Sequence, residues 1–391
     1  MSERYEYVVI GLGALGSAAA YELARRGASV LGLEQFELGH VRGGSHDHSR
    51  IVRHSYHTPG YVRMTLAAYE DWANLEAVSG EQLLTPTGGL DLAPPNAAIP
   101  IADYTSSMAA VGVSFEELDR DAIEARWPQF VLPDGTVGVY QQDAAVVAAA
   151  RSVRVLHDQA RANGAELRDN TPVTAVRDLG AAGIEVEASG STYRCRRLVV
   201  CADAWTNDVL SGLGHQLPLV STLEQVTYFA PESPEEYAVG RLPLWIWQDD
   251  PSFYALPCFG EQTVKAAQDC GGPVVSPDDR TFDSDLERLA LLADFLGRTL
   301  PGSGRAQRSV RCLYTLAPDR DFVLGLLPDN DAVAVGLGCG HGFKFTPTFG
   351  RLLADLVTGE PADTSVEIDL TAFRLDRPAL TEPDYVAHWL V

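Results

Sequence analysis

The first 34 residues of the chain place apolar runs on either side of a helical pattern. Residues 7–10 are a short apolar run that predicts a buried parallel strand, and residues 29–33 predict a second one. The alanine-rich stretch 17–26 between them predicts a helix that packs on the sheet, and Gly27 follows it as a C-terminal cap. The order strand, helix, strand predicts a βαβ unit.

Three later segments also have clear patterns. Residues 143–163 predict an amphipathic helix, and residues 189–202 predict a hairpin arm that leads into a buried strand. Alternating apolar positions around Trp245, Trp247 and Tyr254 predict a sheet that lines a pocket.

A glycine-rich loop of the form GxGxxG joins the first predicted strand to the first predicted helix. Gly11 makes the tight turn, Gly13 lets the backbone approach a pyrophosphate, and Gly16 allows the helix to pack closely on the strand. Glu34 stands at the end of the second strand, 18 positions after Gly16, where an acid binds a ribose hydroxyl. The unit therefore predicts dinucleotide binding, without separating FAD from NAD.

The composition is that of a globular protein with a strongly acidic surface. The 391 residues suffice for two domains, and 46% of them are hydrophobic. A formal net charge of −23 disfavours nucleic acids and anionic membranes as partners. No apolar run approaches the roughly 20 residues of a membrane span, and the start of the chain lacks the basic region of a signal peptide. We therefore expect a cytoplasmic protein whose six cysteines, none in a CxxC pair, are reduced and form no metal site.

Residues 43–54 concentrate glycine, histidine and arginine. The alternating His-Asp-His at 46–48 is compatible with a metal site, but in a polar loop it is more typical of a hydrogen-bonded turn. Arg50 and Arg53 are either a pair that binds a carboxylate or a surface salt-bridge pair, and their spacing favours neither reading.

Six motifs spread along the chain carry a resemblance to a known family. They are the loop at 11–16, GSHDHSRIVRH at 44–54, VCADAW at 200–205, RCLYTLAPDRDF at 311–322, GCGHGFKFTPTFG at 338–350 and DLTAFRLDRPAL at 369–380. Through them the chain resembles, over nearly its whole length, the monomeric sarcosine oxidase and N-methyltryptophan oxidase family of D-amino-acid-oxidase-like flavoproteins. Within this resemblance, VCADAW is expected to form a strand.

The resemblance implies a mixed α/β fold, in which a Rossmann-like FAD-binding domain is interleaved with an antiparallel-sheet substrate domain. It assigns residues 1–85, 143–215 and 306–391 to FAD binding, and residues 86–142 and 216–305 to the substrate domain. It also implies a monomer.

The resemblance further implies which residues bind FAD. They are Gly11, Gly13, Gly16, Glu34, Gly43, Ser45, Arg50, Val173, Gly340, Gly342 and Lys344. Cys312 matches the family cysteine that is bonded through sulfur to the 8α-methyl group of the flavin, so covalent attachment is expected. The alternative is a buried free thiol.

Roles in catalysis and substrate binding also follow from the resemblance. Arg53 and Lys344 would bind the substrate carboxylate, and Lys265 would assist oxygen reduction. Arg50 would help to hold negative charge on the reduced cofactor. The resemblance also implies that Tyr254 and Tyr314 form walls of the substrate pocket and that His341 is a catalytic neighbour of the flavin.

Asp269 departs from the family pattern, because sarcosine-oxidising relatives have histidine four residues after the lysine that matches Lys265. Positions 265 and 269 share one face of an extended strand, so Asp269 is expected to be a catalytic residue of the pocket. It can accept a hydrogen bond from a substrate N–H, hold a basic group or accept a proton. Alternatively, it only pairs with Lys265 and tunes its charge.

The function implied is that of an FAD-dependent oxidase, which converts the C–N bond of an N-methyl or cyclic secondary amino acid to an imine and reduces O2 to hydrogen peroxide. Because of Asp269, we expect sarcosine to be a poor substrate. The alternatives are a biosynthetic flavoenzyme that aromatises a cyclic imino acid, a flavin dehydrogenase with a protein acceptor, and a flavin-binding protein without turnover.

Overall fold

The computed structural model describes residues 3–362 and 364–389. The outermost positions of the predicted FAD-binding ranges, 1 and 391, lie outside the described residues. The strands are β1 (Glu3–Ile10), β2 (Val30–Leu33), β3 (Arg50–Val52), β4 (Leu84–Pro86), β5 (Gly89–Ala93), β6 (Glu116–Asp119), β7 (Val137–Gln141), β8 (Ala145–Val147), β9 (Glu166–Arg168), β10 (Val173–Asp178), β11 (Ile184–Ala188), β12 (Ser191–Val200), β13 (Val220–Ala230), β14 (Leu244–Trp247), β15 (Phe253–Leu256), β16 (Val264–Gln268), β17 (Arg305–Leu316), β18 (Val323–Leu327) and β19 (Asn330–Leu337). The helices are α1 (Ala14–Arg25), α2 (Pro59–Ser79), α3 (Ile101–Val111), α4 (Arg120–Arg126), α5 (Ala149–Ala162), α6 (Thr206–Ser211), α7 (Leu286–Thr299), α8 (Thr346–Thr358) and α9 (Pro378–Thr381).

The first sheet carries the predicted βαβ unit. Strands β9, β2, β1, β12 and β19 pair in parallel in that order, and β18 adds an antiparallel partner to β19. Helix α1 packs against α5 and α8 on one face of this sheet. The buried strand residues are almost all apolar, as expected for a parallel sheet covered by helices. The loop at 11–16 therefore lies at the carboxyl end of a central strand, which is where such sheets bind ligands.

The second sheet is mostly antiparallel and has the order β17-β13-β16-β15-β14-β5-β7-β6. A small third sheet, β3-β8-β4, carries Arg50 at its first position. The predicted mixed α/β architecture, with a Rossmann-like sheet and an antiparallel sheet, is confirmed. The division into two domains stays a prediction; β17, which begins the third range assigned to FAD, pairs with β13 of the second sheet.

Three local expectations are wrong. The helix predicted from 143 begins at Ala149, because residues 145–147 form a strand between β3 and β4. The VCADAW motif is not a strand: β12 ends at Val200, and Asp203 takes a left-handed φ of 47° in the loop that follows. The third expectation is wrong only for the two tryptophans: the predicted sheet lines a cavity through Ile246 and Tyr254, whereas Trp245 and Trp247 pack against Phe295 of α7 in the core.

Gly16 has the tightest surroundings of the glycine-rich loop. A Cβ added there would lie 1.8 Å from the backbone oxygen of Gly11, which the strand β1 holds in place. We expect Gly16→Ala to open the turn, to lower stability by ~1–3 kcal/mol and to reduce retention of the bound cofactor. Gly297→Ala in α7 is the matched control, since an added Cβ there meets nothing within 4 Å. Thermal unfolding measures the stability of each variant, and the flavin content after gel filtration measures its retention of the cofactor. Equal values for the two variants would contradict the close packing.

Across residues 3–362 and 364–389, none of the helices is long and apolar enough to cross a bilayer.

Candidate active site

A cavity of about 620 Å³ begins at the glycine-rich loop and runs to the second sheet. Nearly all the predicted site residues line it. They are Gly11, Gly13, Glu34, Gly43, Ser45, Arg50, Arg53, Val173, Tyr254, Lys265, Asp269, Tyr314, Gly340, His341, Gly342 and Lys344. The two exceptions are Gly16, which packs behind the loop, and Cys312. Residues far apart in the sequence are thus brought to one cavity.

One end of the cavity is built to receive a phosphate group. Gly13 is the N-cap of α1 and has no side chain to cap the first turn, so N–H groups of that turn face the cavity. Ser45 Oγ accepts from the N–H of Ala14 at 2.9 Å, and a Cβ on Gly13 would come within 2.9 Å of the same oxygen. Only glycine therefore leaves this space open.

Glu34 lies beside that loop at the end of β2, as predicted. Its carboxylate accepts from the N–H groups of Leu12 at 2.9 Å and Phe36 at 3.1 Å. Burial raises the pKa of Glu34, but hydrogen bonds from His40 and from the Leu12 N–H outweigh burial and leave it lowered. The carboxylate is thus ionised and ready to accept hydroxyl groups.

Lys265 points into the cavity from β16 and is almost completely buried. Its Nζ lies 2.7 Å from Asp47 Oδ2 and donates to the backbone oxygen of Ser49 at 2.7 Å. Burial and the neighbouring Arg50 lower the pKa of Lys265 to about 8, although Asp47 opposes them. The ammonium ion is therefore held in place but loses its proton as the pH rises through about 8.

The loop that contains Asp47 and Ser49 also holds the Arg50 side chain against its backbone. Its guanidinium donates to the carbonyl oxygens of Ser49 at 2.9 Å and Gly44 at 3.0 Å. Arg50 and Arg53 both line the cavity, so the reading of these residues as a surface salt-bridge pair is wrong. The His-Asp-His segment forms a turn, in which Asp47 Oδ1 accepts from the N–H of His48 at 2.9 Å.

Arg53 is fixed by a buried acid that the sequence reasoning missed. Its Nη1 donates to Asp91 Oδ1 at 2.5 Å and to Ser55 Oγ at 2.7 Å, while Gln248 donates to the same carboxylate at 2.8 Å. Within the described part of the chain, Nε and Nη2 of Arg53 form no hydrogen bond. Those two groups are the fork that a carboxylate binds in bidentate fashion.

Lys344 belongs to a chain of hydrogen bonds. Its Nζ donates to the carbonyl oxygen of His341 at 2.7 Å and to the Tyr56 hydroxyl at 2.9 Å. The His341 Nε2 lies 3.0 Å from the carbonyl oxygen of Arg320 and must be the donor, so Nδ1 accepts from Tyr56 at 3.0 Å. Burial, with Lys344 and Arg320 nearby, lowers the pKa of His341 well below its usual value, which agrees with a neutral ring.

Asp269 follows the end of β16 and faces the cavity, but its partner is not Lys265. Both of its carboxylate oxygens accept from Nη2 of Arg320 at 2.9 Å. Arg320 is only 2% exposed, and its Nη1 donates to the carbonyl oxygen of Trp389 at 2.7 Å. The expectation that Asp269 tunes the charge of Lys265 by direct pairing is therefore wrong.

Two tyrosines and a glycine shape the remaining wall. Tyr254 on β15 and Tyr314 on β17 line the cavity, and burial raises the pKa of both hydroxyls well above the usual value. A Cβ on Gly340 would come within 2.5 Å of the Tyr314 ring, and the φ of Gly340 is +80°. Both tyrosines therefore stay protonated and serve as hydrogen-bond donors.

Cys312 is buried behind the cavity surface. It lies two positions before Tyr314 on β17, so both side chains leave the same face of the strand. Burial raises the pKa of the Cys312 thiol, and the nearby Arg50 guanidinium partly offsets that increase.

A comparison of the chain with known protein families decides its membership. The profile described as "FAD dependent oxidoreductase" matches residues 6–356. The chain belongs to this FAD-dependent oxidoreductase family. The resemblance seen in its motifs is thereby confirmed.

Relatives of this oxidoreductase match it over nearly its full length. The monomeric sarcosine oxidase of Streptomyces avermitilis is 34% identical and covers 93% of this chain and 96% of its own. That of Bacillus sp. (strain B-0618) is 29% identical, with 98% of each chain covered. The N-methyl-L-tryptophan oxidase of Escherichia coli is 28% identical and covers 96% of this chain and 99% of its own.

Among solved structures, the open form of NikD, described as an unusual amino acid oxidase essential for nikkomycin biosynthesis, superimposes with a TM-score of 0.84. It is 27% identical and covers 95% of this chain and 98% of its own. Glycine oxidase from Geobacillus kaustophilus shares the fold, with a TM-score of 0.79 at 19% identity.

The cavity of this oxidoreductase fits FAD. The open space at Gly13, the N-terminus of α1 and the ionised Glu34 match the needs of a pyrophosphate and a ribose. The sequence reasoning missed Asp47, Tyr56, Asp91 and Arg320. A signal existed for Asp91, because an aspartate within the apolar stretch GLDLA of β5 is unusual unless it is paired.

Proposed function

We propose that this protein is an FAD-dependent oxidase of a secondary amino acid. The observation that supports it is the presence of three buried basic side chains, Arg53, Lys344 and Lys265, in the same cavity as the dinucleotide loop. The names of the relatives, sarcosine oxidases and an N-methyltryptophan oxidase, agree with such a substrate. When bound, FAD supplies the acceptor for the two electrons of the C–H bond next to the substrate nitrogen and passes them on to O2.

The protein's part in this reaction is to orient the substrate. The free Nε and Nη2 of Arg53, together with Lys344 Nζ, would bind the carboxylate. Burial and the nearby Arg53 lower the pKa of Lys344 well below its usual value. A substrate carboxylate that binds beside Lys344 would raise this pKa again and favour the protonated lysine. The substrate nitrogen must be unprotonated, and the neutral His341 ring adds no further positive charge that would oppose the one that develops on this nitrogen as the imine forms.

We assign oxygen reduction to a second part of the cavity, around Lys265. Lys265 is the cation that Asp47 and Ser49 hold in position, and a fixed cation stabilises the negative charge that develops on oxygen. Arg50 adds a second positive charge to the same region.

The test of this function is a peroxide assay under air with N-methyl and cyclic amino acids. We expect one molecule of hydrogen peroxide for each molecule of substrate oxidised. Oxidation that needs an added acceptor and gives no peroxide would indicate a dehydrogenase, and a flavin that no amine bleaches under anaerobic conditions would indicate a binding protein.

A second function is favoured by Asp269. The Asp269 carboxylate, which Arg320 holds on the cavity wall, offers an acceptor for the N–H of a cyclic substrate, as an enzyme that aromatises a cyclic imino acid would need. The likeness to NikD, an unusual amino acid oxidase of a biosynthetic pathway, agrees with a biosynthetic role. An aromatising enzyme would consume two molecules of O2 for each molecule of substrate, which the same assay detects.

Substrate preference gives a further prediction. We expect sarcosine to turn over more slowly than proline, pipecolate or bulkier N-methyl amino acids, because Asp269 stands where sarcosine-oxidising relatives have histidine. Asp269→His should move the ratio of kcat/KM values toward sarcosine. The ratio is the proper measure, since this change also removes the buried partner of Arg320 and lowers stability by about 3 kcal/mol. Faster turnover of sarcosine by the unmodified enzyme would contradict the preference.

Covalent attachment of FAD through Cys312 is part of the proposal. The thiol faces the side of β17 from which Tyr314 enters the cavity, and Arg50 partly offsets the increase in its pKa that burial causes. After acid precipitation we expect the yellow colour to stay with the protein, and Cys312→Ala to release it. Cys258→Ala is the matched control, because Cys258 is half-buried and its backbone bonds to Tyr237, away from the strand that carries Cys312. Colour that leaves the unmodified protein in acid would refute the bond.

The monomeric state and the cytoplasmic location stay predictions. Relatives named monomeric sarcosine oxidase support the first, and gel filtration at several protein concentrations tests it.

A further inference from the structure

We infer that Asp47 is a positioning residue for Lys265, whose carboxylate fixes the place of the ammonium group and keeps it protonated. The inference rests on the proposed oxidase function for its biological meaning. The ion pair itself is tested below by measurements that need no turnover.

The carboxylate of Asp47 is in direct contact with the ammonium group of Lys265. Its Oδ2 lies 2.7 Å from Lys265 Nζ, and both of its oxygens accept from the Tyr228 hydroxyl at 2.6 Å. Lys265 also donates to the carbonyl oxygen of Ser49 at 2.7 Å, and Asp47 also accepts from the backbone N–H of His48 at 2.9 Å. The carboxylate is therefore the single anion in contact with the lysine among the described residues.

The backbone of Asp47 is strained in support of this contact. Its φ is +78°, in the left-handed region that residues other than glycine, asparagine and aspartate rarely adopt. A strained, buried residue persists only where its surroundings hold it, and such residues concentrate at functional sites. In this loop, the residue with the left-handed φ is the one whose carboxylate contacts Lys265.

The surroundings show why the lysine needs an anion. Lys265 is 2% exposed, and the charged or titratable groups that face it are Arg50 from β3, Cys312 from β17, and Tyr228 from β13. His46, in the adjoining loop, is kept neutral because burial and Arg50 lower its pKa to about 3. Without Asp47, burial and Arg50 would both drive the lysine to its neutral form, which cannot stabilise a negative charge on oxygen.

The chain allows a direct measurement, because Lys265 and Lys344 are its only lysines. Protein grown with isotope-labelled lysine therefore gives two ε-methylene NMR signals, and Lys265→Met assigns them by removing one. We expect Asp47→Asn, which keeps the shape of the side chain and tolerates a positive φ, to lower the pH midpoint of the Lys265 signal by at least one unit. The Lys344 signal is the internal control and should move far less.

Thermal unfolding of the holoenzyme supplies a second test. We expect Asp47→Asn to lower Tm in the unmodified background and not to lower it in the Lys265→Met background. Asp47→Gly, which removes both the carboxylate and the strain, should shift the Lys265 midpoint in the same way and serves if the asparagine variant does not fold. An unmoved Lys265 midpoint, or an equal loss of Tm in both backgrounds, would overturn the inference.

The role of Lys265 in oxygen reduction and the Asp47–Lys265 ion pair can be refuted separately. If Lys265→Met reacts with O2 at the normal rate, the proposed role of the lysine is wrong, whereas the Asp47 pair is still decided by the NMR midpoint and by Tm.

Discussion

Lys265→Met is expected to slow the reaction of the substrate-reduced enzyme with O2 by about 100- to 1,000-fold, the usual cost of removing one fixed group that stabilises developing charge. The reduction of the enzyme by its substrate should change much less, since the substrate carboxylate is assigned to Arg53 and Lys344 at another part of the cavity. Stopped-flow absorbance under anaerobic conditions, followed by mixing with oxygenated buffer, separates the two halves.

The control for charge is Lys265→Arg, which keeps a cation in the cavity and should retain more oxygen reactivity than methionine. The pH dependence adds an independent check. Because the pKa of Lys265 is lowered to about 8, the cationic form is lost as pH rises through that value, and oxygen reactivity should fall with it. A reaction with O2 that is equally fast in the methionine variant would remove Lys265 from the mechanism.

Lys344→Met is expected to weaken the binding of a carboxylate inhibitor by about 10- to 150-fold, which corresponds to the ~1.5–3 kcal/mol of a desolvated charge-assisted hydrogen bond. Lys344 is the cleaner choice for this test, because its partners are the neutral Tyr56 hydroxyl and a carbonyl oxygen. Arg53→Met should weaken binding at least as much, but it also leaves the buried Asp91 without its cation and so reduces stability.

Titration of flavin absorbance with a carboxylate that lacks the amine measures both variants. The matched control is Arg298→Met, whose partner Asp294 lies at the surface, where a salt bridge contributes ~0–1 kcal/mol. Binding should also weaken as pH rises, because the neutral form of Lys344 that burial favours must gain a proton to bind the anion. Unchanged affinity in both cavity variants would refute the carboxylate site.

Sequence alone predicted the parts of this protein whose causes are local. The βαβ unit follows from glycines at fixed spacing and from the period of the apolar residues, and Gly27 takes the left-handed φ of 85° expected after a helix. The family resemblance as a whole carried the prediction of most cavity residues, and all the predicted site residues but Gly16 and Cys312 line the cavity.

What the sequence did not show is which charges pair across elements. Arg53 and Asp91 are 38 positions apart, and Arg320 and Asp269 are 51 apart, so no local pattern links them. The misplaced start of α5 has a similar origin, since residues 145–147 are apolar enough for helix or strand and only the neighbouring β3 and β4 decide. The two tryptophans of β14 face α7 for a reason that periodicity cannot supply, because alternation defines two faces without saying which is buried in the core.

The confinement of both lysines to the cavity has a consequence for the protein's chemistry outside it. Oxidation of an N-methyl amine gives an imine that hydrolyses to formaldehyde, and formaldehyde attacks neutral side-chain amines. The outer surface presents arginine as its only long cationic side chain, and guanidinium groups stay protonated and react poorly. The enzyme should therefore resist cross-linking by its own product and by glutaraldehyde, and reagents that couple to lysine amines should reach Lys265 and Lys344 only through the mouth of the active site.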